Sequence, residues 1–547
     1  MKKSVIKVLS LTICFLMLFA IPGCGGGAAQ TPSTGQTPTP APGPAAGSSQ
    51  PSTAAPAPPP PENKTEVEFA ETINFIQSVA ISQLNSHSVS GIGADHNNAI
   101  RMVFDSLYYN EPDGKSIPML ATHYESDDYE TWIFYLRDDV YWHNGDKFTA
   151  HDVIYTWQSA CDNPATQAGA NWHYIKEASI IDDYTVKFVT DGPYNSLLFN
   201  LGINVSYVIN QKAIEADPFN GYHVGTGAYK VAEFSPSDYM LFERNEDYWG
   251  EPAISKYQKW TLVTEASVRT IMLQNGTADL GGVQATDLPL FEADPNFHVH
   301  SFPSNNPQSL IFNTKDPIAG DWDFRMAVAY ALDTLELSEF GSPGGHPVYD
   351  GAIWGQSVQF KNESIPFLEP DIEKAKEHLA KSVYKGEEIE LVTTAASGTA
   401  MNDMAVAMID MLGAIGIKIV LNVMDPPTFG TYTDPLDNKS QLSIYFGRMG
   451  QNPVDTYWAN FYPGSANNRA NYSNPEVTAM LDRIPMIIDE NEQREIYYKM
   501  QEIVTNDRPM IPIFWMPSTV VYADGVGGFI TTANVMYDWR YTYRVLK

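Results

Sequence analysis

The feature that most limits what this chain can fold into is an uncharged segment near its N-terminus. No charged residue occurs between Ser10 and Pro61, and residues 25–62 contain 11 prolines among Ala, Gly, Ser, Thr and Gln. This composition buries too little apolar surface to offset the entropy of ordering the chain, so we expect a linker without a fold of its own. Folded structure is therefore expected from about Thr65 to Lys547, which is long enough for two or three domains.

The first 23 residues predict a signal peptide. Lysines precede an apolar run of 14 residues, Val8 to Ile21, which is too short to span a bilayer comfortably. The run leads into IPGC at 21–24, which resembles the lipobox of bacterial lipoproteins, with Ile21 and Pro22 as departures from the usual pattern. The resemblance implies lipidation of Cys24 and a linker over 24–62 that holds the protein at the outer face of the cell membrane. The alternative is an ordinary signal peptide followed by a chance cysteine.

Net charge and missing motifs restrict the function. The chain has 34 basic and 65 acidic residues and a formal net charge of −31, which excludes a general nucleic-acid binder. It contains no GxxxxGK(S/T), HExxH, GxSxG or CxxC motif. His143 and His151 are interpreted as a hairpin residue and a residue at a helix start, not as metal ligands. A large exported chain without a catalytic constellation is predicted to bind a molecule rather than react with it, and no metal or cofactor is expected.

Local patterns predict short strands mixed irregularly with helices, as in α/β or α+β proteins. Residues 131–142 alternate and are rich in aromatics, which favours a strand, and Asn144-Gly145 predicts a tight turn. Thr149 with Asp152 predicts a capping box for a helix over 150–160. A methionine stripe at 401, 404, 408 and 411 has helical spacing and predicts core packing. Further helices are predicted over 371–381, from Asn474 and over 490–505, and further strands over 184–190, 417–423 and 511–522.

Eight segments in order along the chain resemble those of the family 5 extracellular solute-binding proteins of bacterial ABC importers, the peptide- and nickel-binding group. They are 104–107 (FDSL), 118–121 (PMLA), 134–145 (FYLRDDVYWHNG), 149–153 (TAHDV), 225–229 (GTGAY), 243–250 (ERNEDYWG), 312–314 (FNT) with 325–333, and 471–477 (NYSNPEV). Turn, cap and core residues dominate these segments, so we interpret them as structural and not as ligand contacts.

The resemblance implies an α/β, two-lobe periplasmic-binding-protein-like fold of type II, with an extra subdomain in lobe one. Lobe one is expected over 65–303, with 518–547 returning to it, and lobe two over 304–517. The crossovers are expected near 302–310 and 513–518. The ligand is then enclosed by hinge closure, and a membrane permease reads the closed state while separate ATPase subunits use the ATP. The chain is expected to be a monomer and not an enzyme.

The segment 447–455 (GRMGQNPVD) corresponds to one that in peptide-binding relatives carries an acid for the peptide α-amino group. That acid falls near Gly450 or Gln451 and is lost here, whereas an acid follows at Asp455. Arg448 replaces an aromatic residue, and an arginine in a cleft suits a carboxylate, with a surface or interlobe arginine as the alternative. Aromatic residues can stack on a ligand or pack in the core, and asparagines at a crossover can face the cleft or shape a turn. The candidate ligand residues are Arg448, Gln451, Asp455, Tyr457, Trp458, Trp354, Asn305 and Asn306.

Import of a small solute is the function that these observations favour, with a peptide or peptide-like molecule as the expected substrate. Two alternatives remain at this point: a ligand-binding module for signalling, and an exported hydrolase with an unrecognised catalytic group. Stoichiometric binding without turnover separates the hydrolase from the other two. Permease and ATPase genes beside this one would favour import over signalling.

Overall fold

The structure, a computed structural model, describes residues 67–87, 94–111, 115–163, 166–203, 205–342, 345–355, 358–394, 398–446, 452–532 and 536–546. Every described residue lies in one compact unit, Ala54–Lys547. The predicted signal peptide, Cys24 and the predicted linker lie outside the described residues. Within those ranges, no helix is long and apolar enough to cross a membrane.

One large mixed sheet connects most of the unit. Its strand order is β15-β14-β16-β12-β17-β11-β1-β10-β9-β8, with β13 paired to β17. A separate antiparallel sheet of four strands, in the order β4-β5-β7-β6, forms a subdomain of its own. The strands are β1 Thr72–Gln77, β2 Tyr108–Asn110, β3 Ser116–Pro118, β4 Ala121–Glu125, β5 Thr131–Leu136, β6 Ile175–Asp182, β7 Thr185–Thr190, β8 Tyr229–Ser235, β9 Tyr239–Arg244, β10 Tyr257–Leu262, β11 Leu280–Gly281, β12 Phe297–Phe312, β13 His346–Pro347, β14 Glu388–Thr394, β15 Lys418–Met424, β16 Leu442–Phe446, β17 Met510–Ala523, β18 Val526–Gly527, β19 Ile530–Thr532, β20 Met536–Asp538 and β21 Tyr543–Arg544.

Helices cover the sheets. The longest are α11 and α15, and most helices begin at an Asp, Asn or Thr whose side chain accepts a hydrogen bond from a first-turn amide. The helices are α1 Ala94–Val103, α2 Ala150–Cys161, α3 Gln167–Trp172, α4 Leu197–Leu201, α5 Gln211–Ala216, α6 Ala266–Gln274, α7 Leu288–Glu292, α8 Trp322–Ala331, α9 Thr334–Gly341, α10 Ile372–Lys381, α11 Gly398–Gly413, α12 Pro426–Tyr432, α13 Pro453–Phe461, α14 Pro475–Arg483 and α15 Glu490–Asp507.

The apolar side chains form two groups of cores joined by two long strands. One large core draws on residues between Ile73 and Trp260 and takes further members from the C-terminal segment as far as Trp539. Two other cores lie within the range Leu310 to Phe514. Strands β12 and β17 pair antiparallel from Phe297↔Ala523 to Ile311↔Met510 and so run through both groups. Their register shifts between Pro303 and Pro307, at the boundary between the two groups of cores.

Most of the predicted elements are confirmed. The predicted helices correspond to α2, α10, α14 and α15, and the predicted strands over 184–190, 417–423 and 511–522 correspond to β7, β15 and β17. The capping box at α2 forms, with the Thr149 amide 3.0 Å from the Asp152 carboxylate. The methionine stripe packs in the core, because Met401, Met404 and Met408 on α11 are buried and Met411 packs against the same core.

The strand predicted over 131–142 is shorter than expected. Strand β5 ends at Leu136, where both strands that pair with it also stop: β4 begins at Ala121, opposite Leu136, and β7 begins at Thr185, opposite Tyr135. The Arg137 guanidinium pairs with Asp139 two residues later. The Asn144-Gly145 turn forms with Gly145 at φ 87°, but only a single bridge, Tyr141 to Lys147, flanks it.

Candidate functional site

Three of the segments that carry the family resemblance meet around one buried carboxylate. Asp105, in the FDSL segment, accepts hydrogen bonds from Trp249 Nε1 at 3.1 Å, Thr226 Oγ1 at 3.1 Å and the Tyr248 hydroxyl at 3.3 Å. Arg540, near the C-terminus, lies 3.7 Å from the same carboxylate. All of these groups lie within one core, so the segments hold the fold together and do not themselves form a ligand site.

His143 is part of the same structural arrangement. Its Nδ1 accepts the Gly225 amide at 3.2 Å and its Nε2 faces the Gly227 carbonyl at 2.9 Å, so both ring nitrogens are engaged by backbone. Burial lowers the pKa of His143 to about 4, which keeps the ring neutral. Gly225 and Gly227 are required because a Cβ at either position would lie within 3 Å of the Val103 backbone. Close approach to α1, not a left-handed turn, is therefore the reason for both glycines.

A cavity of about 250 Å³ opens at the carboxyl ends of parallel strands. Strands β1 and β11 run parallel and end side by side at Gln77 and Gly281, and β10 runs parallel on the other side of β1. In open α/β sheets this edge is where ligands bind. The cavity also reaches Pro517 to Val520 of β17, the strand that passes between the two groups of cores. We call this cavity the strand-end pocket.

Asp95 and Gln77 are among the polar residues that line the strand-end pocket. Asp95, in the first turn of α1, accepts from the Ser78 amide at 3.3 Å and the Ser78 hydroxyl at 3.4 Å. Burial raises the pKa of Asp95, and hydrogen bonds from Ser78 and from the Val79 amide, together with the charge of Arg269, oppose that rise. Gln77 is only 5% exposed, and its Oε1 has no hydrogen-bond partner among the described residues. The aromatic part of the wall includes Trp260 and Trp539.

Arg269 on α6 fixes the loops that bound the strand-end pocket. Its Nε donates to the Gly282 carbonyl at 2.9 Å, and its Nη1 donates to the carbonyls of Val263 and Thr264 at 2.9 and 2.8 Å. The loop after β10 and the loop after β11 are thereby held together. Because this guanidinium is committed to three carbonyls, it positions the rim of the pocket.

A second contact joins the two groups of cores away from β12 and β17. Asn195 Nδ2 donates to the carbonyls of Ile484 and Ile487 at 3.0 and 2.6 Å, and the Asn195 amide donates to the Pro485 carbonyl at 3.0 Å. Tyr194 and Leu197, on either side of Asn195, belong to the large core, whereas Ile484 belongs to one of the other cores. We call this contact the Asn195 bridge.

Two of the predicted ligand residues are core residues in this structure. Trp354 and Tyr457 are fully buried, with their ring centroids 4.5 Å apart. The indole nitrogen of Trp354 donates to the Gln359 carbonyl at 3.1 Å, and the Tyr457 hydroxyl donates to the Ile353 carbonyl at 3.3 Å. Core packing, one of the two alternatives for these aromatics, accounts for both side chains.

The other predicted ligand residues are more dispersed. Trp458 is 46% exposed and stacks on Tyr462. Asn305 is buried and Asn306 half-buried, both in the irregular part of β12 where the register shifts. Arg448 and Gln451 lie outside the described residues, as does the side chain of Asp455, whose backbone is in α13.

The local sequence patterns do not single out Gln77, Asp95 or Asn195. A signal for Gln77 exists in its position at the end of the parallel strand β1, since the ends of parallel strands share one edge. Asp95 begins a helix shortly after that strand, which is a weaker signal. The contacts of Asn195 lie 289 and 292 residues away in sequence, and no local pattern indicates them.

Among the described residues, no group of three or more His, Cys, Asp or Glu side chains is arranged to hold a metal ion. His143, considered as a metal ligand together with His151, has both ring nitrogens occupied by backbone groups.

Comparisons with known proteins agree on one family and one fold. The family model of the bacterial extracellular solute-binding proteins, family 5, matches residues 115–471. The oligopeptide-binding protein OppA of Bacillus subtilis is 25% identical over 501 residues, covering 84% of this chain and 89% of the relative. The nickel-binding periplasmic protein of Escherichia coli is 27% identical over 293 residues, covering 51% of this chain and 56% of the relative.

Solved structures show the same architecture. The ABC transporter substrate-binding protein CtaP of Listeria monocytogenes superposes with a TM-score of 0.79 at 20% identity, covering 87% of this chain and 100% of the other. DppA of Helicobacter pylori, solved with the peptide STSA, superposes with a TM-score of 0.71 at 22% identity, covering 87% and 99%.

Proposed function

Because this chain belongs to the bacterial extracellular solute-binding proteins of family 5, we propose that it captures a small solute between two lobes and delivers it, chemically unchanged, to a membrane permease. Lobe one comprises 65–303 and 518–547, and lobe two comprises 304–517. The division of the cores supports these bounds, since the large core takes no member from 310–514 and the other two cores take all of theirs from it.

The observation that carries the proposal is the position of the strand-end pocket. It lies at the carboxyl edge of parallel strands and against Pro517 to Val520, where β17 passes from one group of cores to the other. A solute in this pocket contacts the sheet edge and the connecting strand β17, and every lining residue except Pro517 lies within proposed lobe one. We propose that lobe two covers the solute on closure, so that binding favours the closed arrangement, which is the condition for a ligand to drive closure.

A peptide or peptide-like molecule is the ligand class that we propose. Relatives in the comparisons are named for oligopeptides and dipeptides as well as for nickel. We retain Arg448, Gln451, Asp455 and Trp458 as proposed ligand residues of lobe two, with Asn305 and Asn306 at the crossover. A guanidinium at Arg448 would take a carboxylate through two parallel hydrogen bonds.

We also propose that lipidation of Cys24 holds the protein at the outer face of the cell membrane, with 24–62 as the linker. The partners are then the permease and ATPase subunits of one ABC importer, and the protein acts as a monomer. A two-lobe protein on a long linker delivers its ligand by docking, and it needs no catalytic group of its own.

Native mass spectrometry of protein purified from its own cells tests the function. The expected result is one small molecule retained per chain, recovered unmodified after prolonged incubation. Solution scattering with and without that molecule should show a smaller radius of gyration for the loaded protein. A cleaved or altered guest contradicts the proposal, and identical dimensions in both states contradict hinge closure.

A further inference from the structure

We propose that Trp539 determines how large an apolar group of the ligand fits into the strand-end pocket, and that a buried ion-pair cluster holds this indole in position. The inference rests on the proposed function and adds a specificity-determining residue to it. Trp539 directly follows β20, in the C-terminal segment that returns to proposed lobe one after β17.

The inner wall of the strand-end pocket is largely apolar. Of the lining side chains that are buried, six are aromatic or aliphatic: Phe75, Ile76, Trp260, Leu280, Val520 and Trp539. Asp95 is only half-buried and Ser78 is exposed, so the charge of Asp95 lies nearer to the rim. An apolar group that passes the rim therefore loses its contact with water against this wall, and that loss favours binding.

Trp539 is the one apolar side chain of this wall that does not belong to a strand of the large sheet. Phe75 and Trp260 are cross-strand partners on β1 and β10, with ring centroids 5.1 Å apart. The indole of Trp539 packs against the Phe75 ring at 5.2 Å and an interplanar angle of 76°. The strand ladder fixes the first two rings, whereas the side chain at position 539 can differ in size without changing the ladder. Position 539 is therefore where the size of the pocket is adjusted.

The backbone of Trp539 is fixed by its neighbours. Its carbonyl accepts hydrogen bonds from Gln258 Nε2 at 2.8 Å and from the Thr542 amide at 3.1 Å. On either side of it, Arg540 donates to the Asp538 carboxylate from Nε at 2.9 Å and from Nη2 at 2.6 Å. Asp538 and Arg540 are both buried, so this bidentate pair keeps the residue between them in one conformation.

The same ion-pair cluster reaches a second wall of the pocket. Arg101 Nε lies 3.7 Å from the Asp538 carboxylate. Arg101 is in the last turn of α1, and Asn98, three residues earlier on that helix, lines the pocket. The cluster thus holds the wall at α1 and the wall at Trp539 in one arrangement. Buried ion pairs add little stability compared with apolar packing of the same volume, so positioning is a role that such a cluster can serve.

Calorimetric titration with a series of tripeptides, Ala-X-Ala, tests the role of Trp539, with alanine, valine, leucine, phenylalanine or tryptophan at X. For the unaltered protein, affinity should rise by about fourfold for each added methylene and then fall where the side chain overfills the pocket. Trp539→Phe removes one ring of the indole and enlarges the pocket. The Kd for X = tryptophan, divided by the Kd for X = alanine, should therefore fall by about tenfold or more in this variant.

Trp172→Phe is the matched control. Trp172 belongs to the same large core and also packs edge-on against one phenylalanine, Phe188, but it does not line the strand-end pocket. This control should lower the melting temperature and leave the order of affinities unchanged. An unchanged order in Trp539→Phe, or the same change in both variants, overturns the proposal.

A crystal structure of the unaltered protein with the solute retained from its own cells decides the question without a variant. An apolar group of that solute should lie within about 4.5 Å of the Trp539 ring. A solute bound without this contact overturns the role of Trp539, and the solute-binding function stands. If no tripeptide binds, the peptide class fails, and this contact alone decides the proposal. Retention of no molecule together with no closure in scattering refutes the function itself, and the role of Trp539 with it.

Discussion

Removal of the Asn195 side chain should weaken ligand binding without loosening either lobe. In Asn195→Ala the Nδ2 hydrogen bonds to Ile484 and Ile487 are lost, whereas the backbone bond to Pro485 remains. The bridge connects the proposed lobes through residues outside β12 and β17, so we expect it to break when the lobes open about those strands. Its loss therefore acts on the closed state.

The size of the effect follows from the two lost bonds. Each contributes about 0.5–1.5 kcal/mol net, so closure becomes less favourable by about 1–3 kcal/mol. If the empty protein is mostly open, the apparent Kd rises by the same free energy, which is a factor of about 5–150.

Calorimetric titration with the ligand recovered from the purified protein measures this Kd, and scattering measures the closed fraction. Asn313→Ala is the matched control, since Asn313 Nδ2 also donates to two carbonyls, those of Asn438 and Ser440, but within lobe two. The control should lower the melting temperature and leave Kd unchanged. An unchanged Kd in Asn195→Ala, or an equal rise in both variants, refutes the role of the bridge in closure.

Four further predictions address stability, anchoring and the ligand. Arg540→Met leaves the buried Asp105 without its cation and Asp538 with Arg101 alone, and should lower the free energy of unfolding by about 3–5 kcal/mol in urea melts. Arg494→Met, at an exposed pair, should change it by less than about 0.5 kcal/mol. Burial lowers the pKa of His87 to about 4 in the folded protein. As pH falls below 6.5, the His87 side chain is protonated in the unfolded chain but not in the folded one, so the folded state loses stability. Between pH 7 and pH 4.5 the free energy of unfolding of His87→Asn should therefore fall by about 2–3 kcal/mol less than that of the unaltered protein. Identical pH profiles of the two proteins in urea melts would contradict this. Cys24→Ser should release the protein from the membrane fraction, and persistent fractionation with membranes would refute the lipid anchor. Arg448→Ala should leave the melting temperature of the empty protein nearly unchanged but reduce its rise on ligand addition, and an equal loss in both would make Arg448 structural.

Elements with strong local signals were predictable from the sequence. The capping box at Thr149, the Asn-Pro start of α14 and the methionine stripe of α11 depend on residues within a few positions of one another. The local pattern makes strand β5 too long because the length of a strand also depends on its partners, and β4 and β7 stop opposite Leu136 and Tyr135.

The pocket could not be predicted in the same way. Gln77 and Gly281 meet because β1 and β11 pair in parallel across some 200 residues, and pairing at that range is specified by the whole fold. The roles of aromatic residues are also ambiguous in the sequence. Trp354 and Tyr457 could equally stack on a ligand or pack in a core. Only the burial of both rings separates the two uses.

The buried charges around Arg540 have a consequence for biosynthesis. Arg101 and Asp105 leave the ribosome more than 400 residues before Asp538 and Arg540, with which they lie in one ion-pair cluster. Until those last residues are synthesised, proposed lobe one holds a carboxylate and a guanidinium without the partners that balance their charges. We therefore expect the nascent chain not to complete this lobe before its C-terminal residues are made, and a prematurely terminated product to be sensitive to proteases.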